Sequence, residues 1–156
     1  MLLGHGTHGS VYCDEDGNAV KVYRDFPLIP PEAFNEYLIH RLQETGTLIH
    51  DKSSQYKLPG GVVGKWKLTM PCYGKTALEH TRLLTFRQRY DWIVSQRSNF
   101  EEALLQLHQH GWTHGDVTPN NILLKDNGVV LCDFSLSNIA SEVARYGYTE
   151  GFAAPD

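Results

Sequence analysis

His114-Gly115-Asp116-Val117-Thr118-Pro119-Asn120-Asn121-Ile122-Leu123-Leu124, followed by Leu131-Cys132-Asp133-Phe134-Ser135, carries most of the information about the architecture of this chain. Ile122-Leu123-Leu124 and Val129-Val130-Leu131 are short apolar runs, and Lys125-Asp126-Asn127-Gly128 between them is turn chemistry, so a small hairpin is predicted. Upstream, Phe100, Ala103, Leu104 and Leu107 recur at i, i+3, i+4 and i+7, which predicts a helix leading into the segment at His114. His108, His110 and His114 invite a zinc reading; two are expected to cap the helix end instead, with His114 packed beneath the loop and Trp112 in the core.

Farther out, Thr76-Ala77-Leu78-Glu79 has the spacing of a capping box, so the second half opens as helix. The first half has a different rhythm. Ser10-Val11-Tyr12 and Ala19-Val20-Lys21-Val22-Tyr23 read as strands around the turn Asp14-Glu15-Asp16-Gly17-Asn18. Phe34, Tyr37, Leu38 and Leu42 at helical spacing after Pro30-Pro31 predict a helix from about Pro31 to Glu44. Extended segments are expected around Pro59–Val63 and Trp66–Met70, flanking a Gly-Lys turn.

Gly4-His5-Gly6-Thr7-His8-Gly9-Ser10-Val11 contains G-x-G-x-x-G-x-V. Glycines at a hairpin tip let backbone amides approach phosphate oxygens without Cβ collisions, although the same pattern occurs in ordinary surface loops. A strand follows, not a helix, which disfavours dinucleotide binding. Lys21 lies mid-strand, where a lone lysine is ordinarily a solvent-facing member of the alternation. Glu36, on the next helix among apolar neighbours, supplies a carboxylate partner, with Glu32 as the fallback.

With 156 residues, 41% hydrophobic and 21% charged, the chain has the length and apolar content of one domain, and wholesale disorder is excluded. Fourteen Lys and Arg against 18 Asp and Glu give a net charge of −4, so there is no basic field for nucleic acid or an acidic membrane. Cys13, Cys72 and Cys132 are odd in number and lack a C-x-x-C pattern, which argues against a disulfide framework and fits an intracellular, soluble protein. No apolar run reaches the ~20 residues of a membrane span.

The segments from His114 to Ser135 resemble the catalytic loop and D-F-G of protein kinases, and the similarity extends back over the glycine loop, Lys21 and Glu36. The resemblance implies an α+β, bilobal fold in a single domain over 1–156: a β-rich N-lobe with one helix (about 1–70), a hinge (about 71–75) and a shortened helical C-lobe (about 76–156). It implies that ATP and Mg2+ are used. Asp116 would accept or orient the hydroxyl proton, Glu36 would hold the Lys21 ammonium against the α- and β-phosphates, and Asn121 and Asp133 would hold magnesium. Gly4, Gly6 and Gly9 would cover the phosphates. Val11, Ala19 and Leu123 would sandwich adenine, Met70 would be the gatekeeper, and Pro71 and Tyr73 would offer a carbonyl and an amide.

Three departures narrow this. Gly115 replaces the arginine of H-R-D, so the pocket for an activation-loop phosphate is absent. Thr118 stands where a lysine usually touches the γ-phosphate, and Ser135 replaces the glycine of D-F-G. Asp-Val-Thr-Pro-Asn-Asn with Leu-Cys-Asp-Phe-Ser-Leu-Ser is similar to the conserved Ser/Thr kinases of herpesviruses and other large DNA viruses. That likeness implies protein substrates in the host nucleus or cytoplasm. The H-G-D-V-T start is shared with Bud32-type atypical kinases, and H-G-D with small-molecule phosphotransferases. Against both, Thr149-Glu150-Gly151-Phe152-Ala153-Ala154-Pro155-Asp156 parallels T-x-x-[YF]-x-A-P-E, with Thr149 bracing Asp116. A catalytically dead nucleotide-binding or scaffolding fragment is the third alternative. The stripe Phe100, Ala103, Leu104 and Leu107, with Trp112 and Ile122, is expected to need a cover, and a partner or homodimer is favoured over the activation segment.

Overall fold

In the computed structural model, which describes residues 1–5, 9–23, 31–42, 47–50, 56–57, 63–64 and 66–139, the chain is α+β and divides into two units, Met1–Cys72 and Tyr73–Asp156. The N-terminal unit contains strands β1 (Leu2–His5), β2 (Gly9–Cys13) and β3 (Asn18–Tyr23), helix α1 (Pro31–Leu42), and strands β4 (Thr47–His50), β5 (Tyr56–Lys57), β6 (Val63–Gly64) and β7 (Trp66–Pro71). Five of these form an antiparallel sheet in the order β1-β2-β3-β7-β4. Asp14 makes the β2–β3 turn by accepting the amides of Asp16 at 3.0 Å and Asn18 at 2.8 Å. Those bonds, led by Asn18, hold its carboxyl below the usual range. Gly17 takes the left-handed φ of +79° that closes the turn.

β3 lies in the middle of the sheet and is buried on both faces: Ala19, Val20, Lys21, Val22 and Tyr23 are all buried. Its apparent alternation therefore conceals a central strand. α1 begins at Pro31 as predicted and extends to Leu42; residues 43–46 lie outside the described set. Its buried face differs from the predicted apolar one. Phe34 is 46% exposed, whereas Glu36, Ile39 and His40 are buried. The helix turns its carboxylate toward the sheet because Lys21 is there, and a hydrophobicity count does not register an ion pair. β4 was not predicted, since four residues are too few to display a period. Most of the predicted Pro59–Val63 segment lies outside the described residues, and β6 there pairs with β5.

The second unit contains α2 (Ala77–Thr81), α3 (Phe86–Ser95), α4 (Arg97–Gln109), β8 (Trp112–Thr113), a 3-10 turn at Pro119–Asn121, β9 (Ile122–Lys125), β10 (Gly128–Leu131) and β11 (Asn138–Ile139). The capping box at Thr76 is formed: Thr76 Oγ1 accepts the Glu79 amide at 3.1 Å, and Glu79 Oε2 accepts the Thr76 amide at 2.9 Å. Thr85 and Gln88 form a second one on α3. The predicted hairpin is β9–β10, with Leu123 opposite Val130. Residues 74–76 pair with 123–124, because the Gly74 amide donates to the Leu124 carbonyl and the Leu124 amide to the Lys75 carbonyl.

α4 packs on β8 and β10, so part of the stripe expected to need a cover is covered within this unit. Leu107 and Trp112 are buried, and Phe100, Ala103, Leu104 and Ile122 are half-buried. Exposed apolar side chains of this unit include Leu83, Phe86, Tyr90, Ile93 and Val94 on and before α3, Leu105 on α4 and Val117. Among the described residues no helix is long and apolar enough to cross a membrane.

Candidate active site

In the N-terminal unit the sheet places Lys21 between Val11 on β2 and Leu68 on β7. Its side chain is 9% exposed, and its ammonium pairs with Glu36 Oε1 from α1, itself 2% exposed. The Nζ also lies 5.2 Å from the centroid of the Tyr23 ring. Bringing two charges out of water costs several kcal/mol per ion before their attraction repays it, so such a pair is weak evidence for stability and better evidence for a fixed charge. His40, one turn beyond Glu36, is buried; desolvation first, then the Lys21 charge, push its pKa down to about 4.

Ala19 is buried and directly opposite Met70, while Val11 and Met70 are half-buried and Pro71 is exposed. Gly4 and Gly9 stand on β1 and β2, with open space around the Gly4 Cα. Gly6 lies outside the described residues, as does the segment from Thr149 to Asp156; Glu32 is on α1 with its side chain outside that set.

In the second unit the two segments quoted first are fastened together. The His114 ring is buried against Phe134, with ring centroids 5.3 Å apart. Its Nδ1 accepts the Asp116 amide at 3.1 Å, so the proton sits on Nε2, which donates to the Cys132 carbonyl at 2.9 Å. Burial keeps this imidazole below its ordinary pKa. The Cys132 amide donates to the Asn121 carbonyl at 2.9 Å, so both backbone groups preceding Asp133 are held by the loop. Ser137 Oγ donates to the His114 carbonyl at 2.8 Å. Gly115 has φ +84°, and a Cβ there would lie 2.2 Å from the Leu136 carbonyl oxygen.

Within this frame Asn121 Nδ2 donates to the Asp116 carbonyl at 2.9 Å and to Asp116 Oδ2 at 3.0 Å, joining two predicted site residues. Asp133 adopts the left-handed φ of +59°, and its Oδ1 accepts the Ser135 hydroxyl at 2.7 Å. Thr118 is buried, and its carbonyl accepts the Asn121 amide at 2.9 Å. Leu123 is half-buried on β9, and Tyr73 is half-buried with the Lys125 ammonium 5.5 Å from its ring centroid. Asn121 and Asp133, the residues expected to hold magnesium, offer hard oxygens of the kind suited to that ion and unsuited to soft metals. Both nitrogens of His114 are engaged, and His110 Nδ1 lies 2.8 Å from the Gln106 carbonyl at the end of α4, in the capping place predicted for it.

Sequence reasoning missed His40 and Ser137, although His40 is four residues beyond Glu36 and Ser137 lies in the quoted Asp-Phe-Ser-Leu-Ser. It also read Gly115 as a lost charge; the structure adds that the backbone there has no room for a side chain.

No protein-family model matches this chain. It is 32% identical over 143 residues to the serine/threonine-protein kinase ppk11 of Schizosaccharomyces pombe, covering 88% of this chain and 45% of that protein. Over 92 residues it is 32% identical to a putative tyrosine-protein kinase of Caenorhabditis elegans, covering 54% of this chain and 28% of that protein. A probable bifunctional tRNA threonylcarbamoyladenosine biosynthesis protein of Methanothermobacter thermautotrophicus is 32% identical over 77 residues, 49% of this chain and 14% of that protein. The chain thus spans less than half the length of these relatives. These similarities support a kinase-like superfamily and, with the α+β architecture, a kinase-like fold.

Proposed function

We propose that this chain transfers the γ-phosphate of Mg-ATP to Ser or Thr hydroxyls of proteins. The observation that carries the reading is the buried Lys21–Glu36 pair, because a fixed ammonium inside a sheet is what phosphate positioning asks for and folding does not. In this reading Lys21 contacts the α- and β-phosphates, with Glu36 holding the ammonium in place. Asp116 orients the acceptor hydroxyl and takes its proton as the oxygen bonds to the γ-phosphorus and the β–γ bridging bond breaks. Asn121 and Asp133 hold magnesium, which when bound neutralises charge on the phosphates. Val11, Ala19 and Leu123 take adenine, with Met70, Pro71 and Tyr73 beside it and the glycines Gly4, Gly6 and Gly9 over the phosphates.

Incubation with γ-labelled ATP, with and without a protein mixture, tests this, followed by phosphoamino-acid analysis. Label on phosphoserine and phosphothreonine is expected; dominant phosphotyrosine would overturn the acceptor assignment. The Bud32-type reading has its own support in His114-Gly115-Asp116-Val117-Thr118 and in the likeness to the archaeal protein. It predicts nucleotide hydrolysis with no label on the protein mixture. Label confined to small amines or sugars would favour a small-molecule phosphotransferase, and binding without any transfer a scaffold. The same reading includes a partner or second copy over the stripe of Phe100, Ala103, Leu104 and Leu107 with Trp112 and Ile122, and a stable monomer in sedimentation that binds no hydrophobic dye would refute it.

A further inference from the structure

Ser135 is 6% exposed, and its hydroxyl donates to Asp133 Oδ1 at 2.7 Å, while its backbone amide approaches the same oxygen at the longer distance of 3.4 Å. A glycine at this position would offer the amide alone. Both contacts end on the same oxygen, and the shorter distance makes the hydroxyl the firmer of the two. The terminal torsion of an aspartate is broad, and an unrestrained carboxylate samples many orientations. Asp133 is restrained twice over, by a left-handed backbone and by a hydroxyl from its own turn.

We propose that the Ser135 hydroxyl is a positioning group for a divalent cation on Asp133, a role that rests on the reading of Asp133 as a magnesium ligand. By holding Oδ1 it fixes the rotation of the carboxylate. A carboxylate has roughly four lone-pair sites, more than one hydroxyl fills. Partners that orient a metal-binding side chain typically account for 10–100-fold in metal affinity. Ser135 thus adds to the turn a donor that glycine lacks.

The test is ATP affinity titrated against free Mg2+, a readout independent of transfer. Ser135→Ala and Ser135→Gly are each expected to raise the Mg2+ concentration for half-maximal binding by about tenfold. ATP affinity without Mg2+ should stay unchanged, and Ser135→Thr should behave as the unmodified chain. An unchanged or lowered requirement in both variants would overturn the positioning role. Loss of fold in both, read by circular dichroism, would make the hydroxyl a structural group and overturn it equally. Asp133→Asn separates the two layers. If it abolishes the Mg2+ dependence while Ser135→Ala and Ser135→Gly do not alter it, only the positioning role fails. If it behaves as the unmodified chain, the assignment of Asp133 as ligand fails and the positioning role goes with it.

Discussion

Lys21 and Asp133 sit in environments that restrict them, one by burial against Glu36 and the other by a strained backbone angle and the Ser135 hydroxyl. Removing a preorganised charge aimed at a transferring group typically costs 10²–10³ in rate, so Lys21→Met and Asp133→Asn should each reduce transfer by at least that factor. Near-normal turnover in both would defeat the kinase reading. Gly115 makes a separate point. Because its φ is positive and the Leu136 carbonyl occupies the place of a Cβ, Gly115→Ala should destabilise the chain by about 2 kcal/mol in denaturant unfolding. An unchanged midpoint would show that the loop relaxes at no cost. Gly115 was legible in the sequence as the absence of an arginine. The steric reason was not, because it depends on a backbone oxygen twenty-one positions later.

At the scale of elements, β3 and α1 depend on each other through one ion pair. Truncating one partner of a buried pair typically costs about 3–5 kcal/mol, since the remaining charge keeps its burial and loses its carboxylate. Glu36→Leu should therefore lower unfolding free energy by about 3 kcal/mol, and pairing it with Lys21→Met should recover a large part. Additive losses in that cycle would mean that the pair contributes no coupling. The pairing also explains the error in reading α1. Phe34, Tyr37 and Leu38 have the right spacing for an apolar face, but the helix presents Glu36, Ile39 and His40 to the interior. The capping box at Thr76 and the β9–β10 hairpin, by contrast, depend on residues within a few positions of one another and were readable directly. The order of motifs from Lys21 to Asp133 was legible too; the fastening of His114 to Cys132 and Ser137 to His114 was not, because each bond spans about twenty residues and both use a backbone carbonyl as their acceptor.

For the whole molecule, two buried histidines set a common direction of pH dependence. The folded pKa of His40 is about 4 against an ordinary 6.5, and His114 is lowered as well, both first by desolvation. Above pH 6.5 neither state of the chain protonates His40, and its contribution is flat. Below that, the unfolded chain takes up a proton that the folded one refuses, so stability falls until about pH 4. From His40 alone the loss at pH 5 is on the order of 2 kcal/mol, and His114 adds to it with the same sign. Urea unfolding at pH 7 and pH 5 checks this, and His40→Gln should remove part of the difference; an identical acid loss in that variant would exclude His40 as a cause. The clasp around His114 also has a consequence for where the second unit opens. The Asp116 amide ends on the buried ring, the Cys132 amide on the Asn121 carbonyl, the Asn121 amide on Thr118 and the Ser137 amide on Phe134. Three of these four amides lie outside helices and strands, the exception being that of Asn121 in the 3-10 turn, yet the segments at Asp116 and Cys132 cannot swing away without freeing the imidazole from a backbone partner. Their hydrogen exchange should accordingly be slow and concerted, one cooperative opening in which the irregular loops of this unit behave as a core of their own.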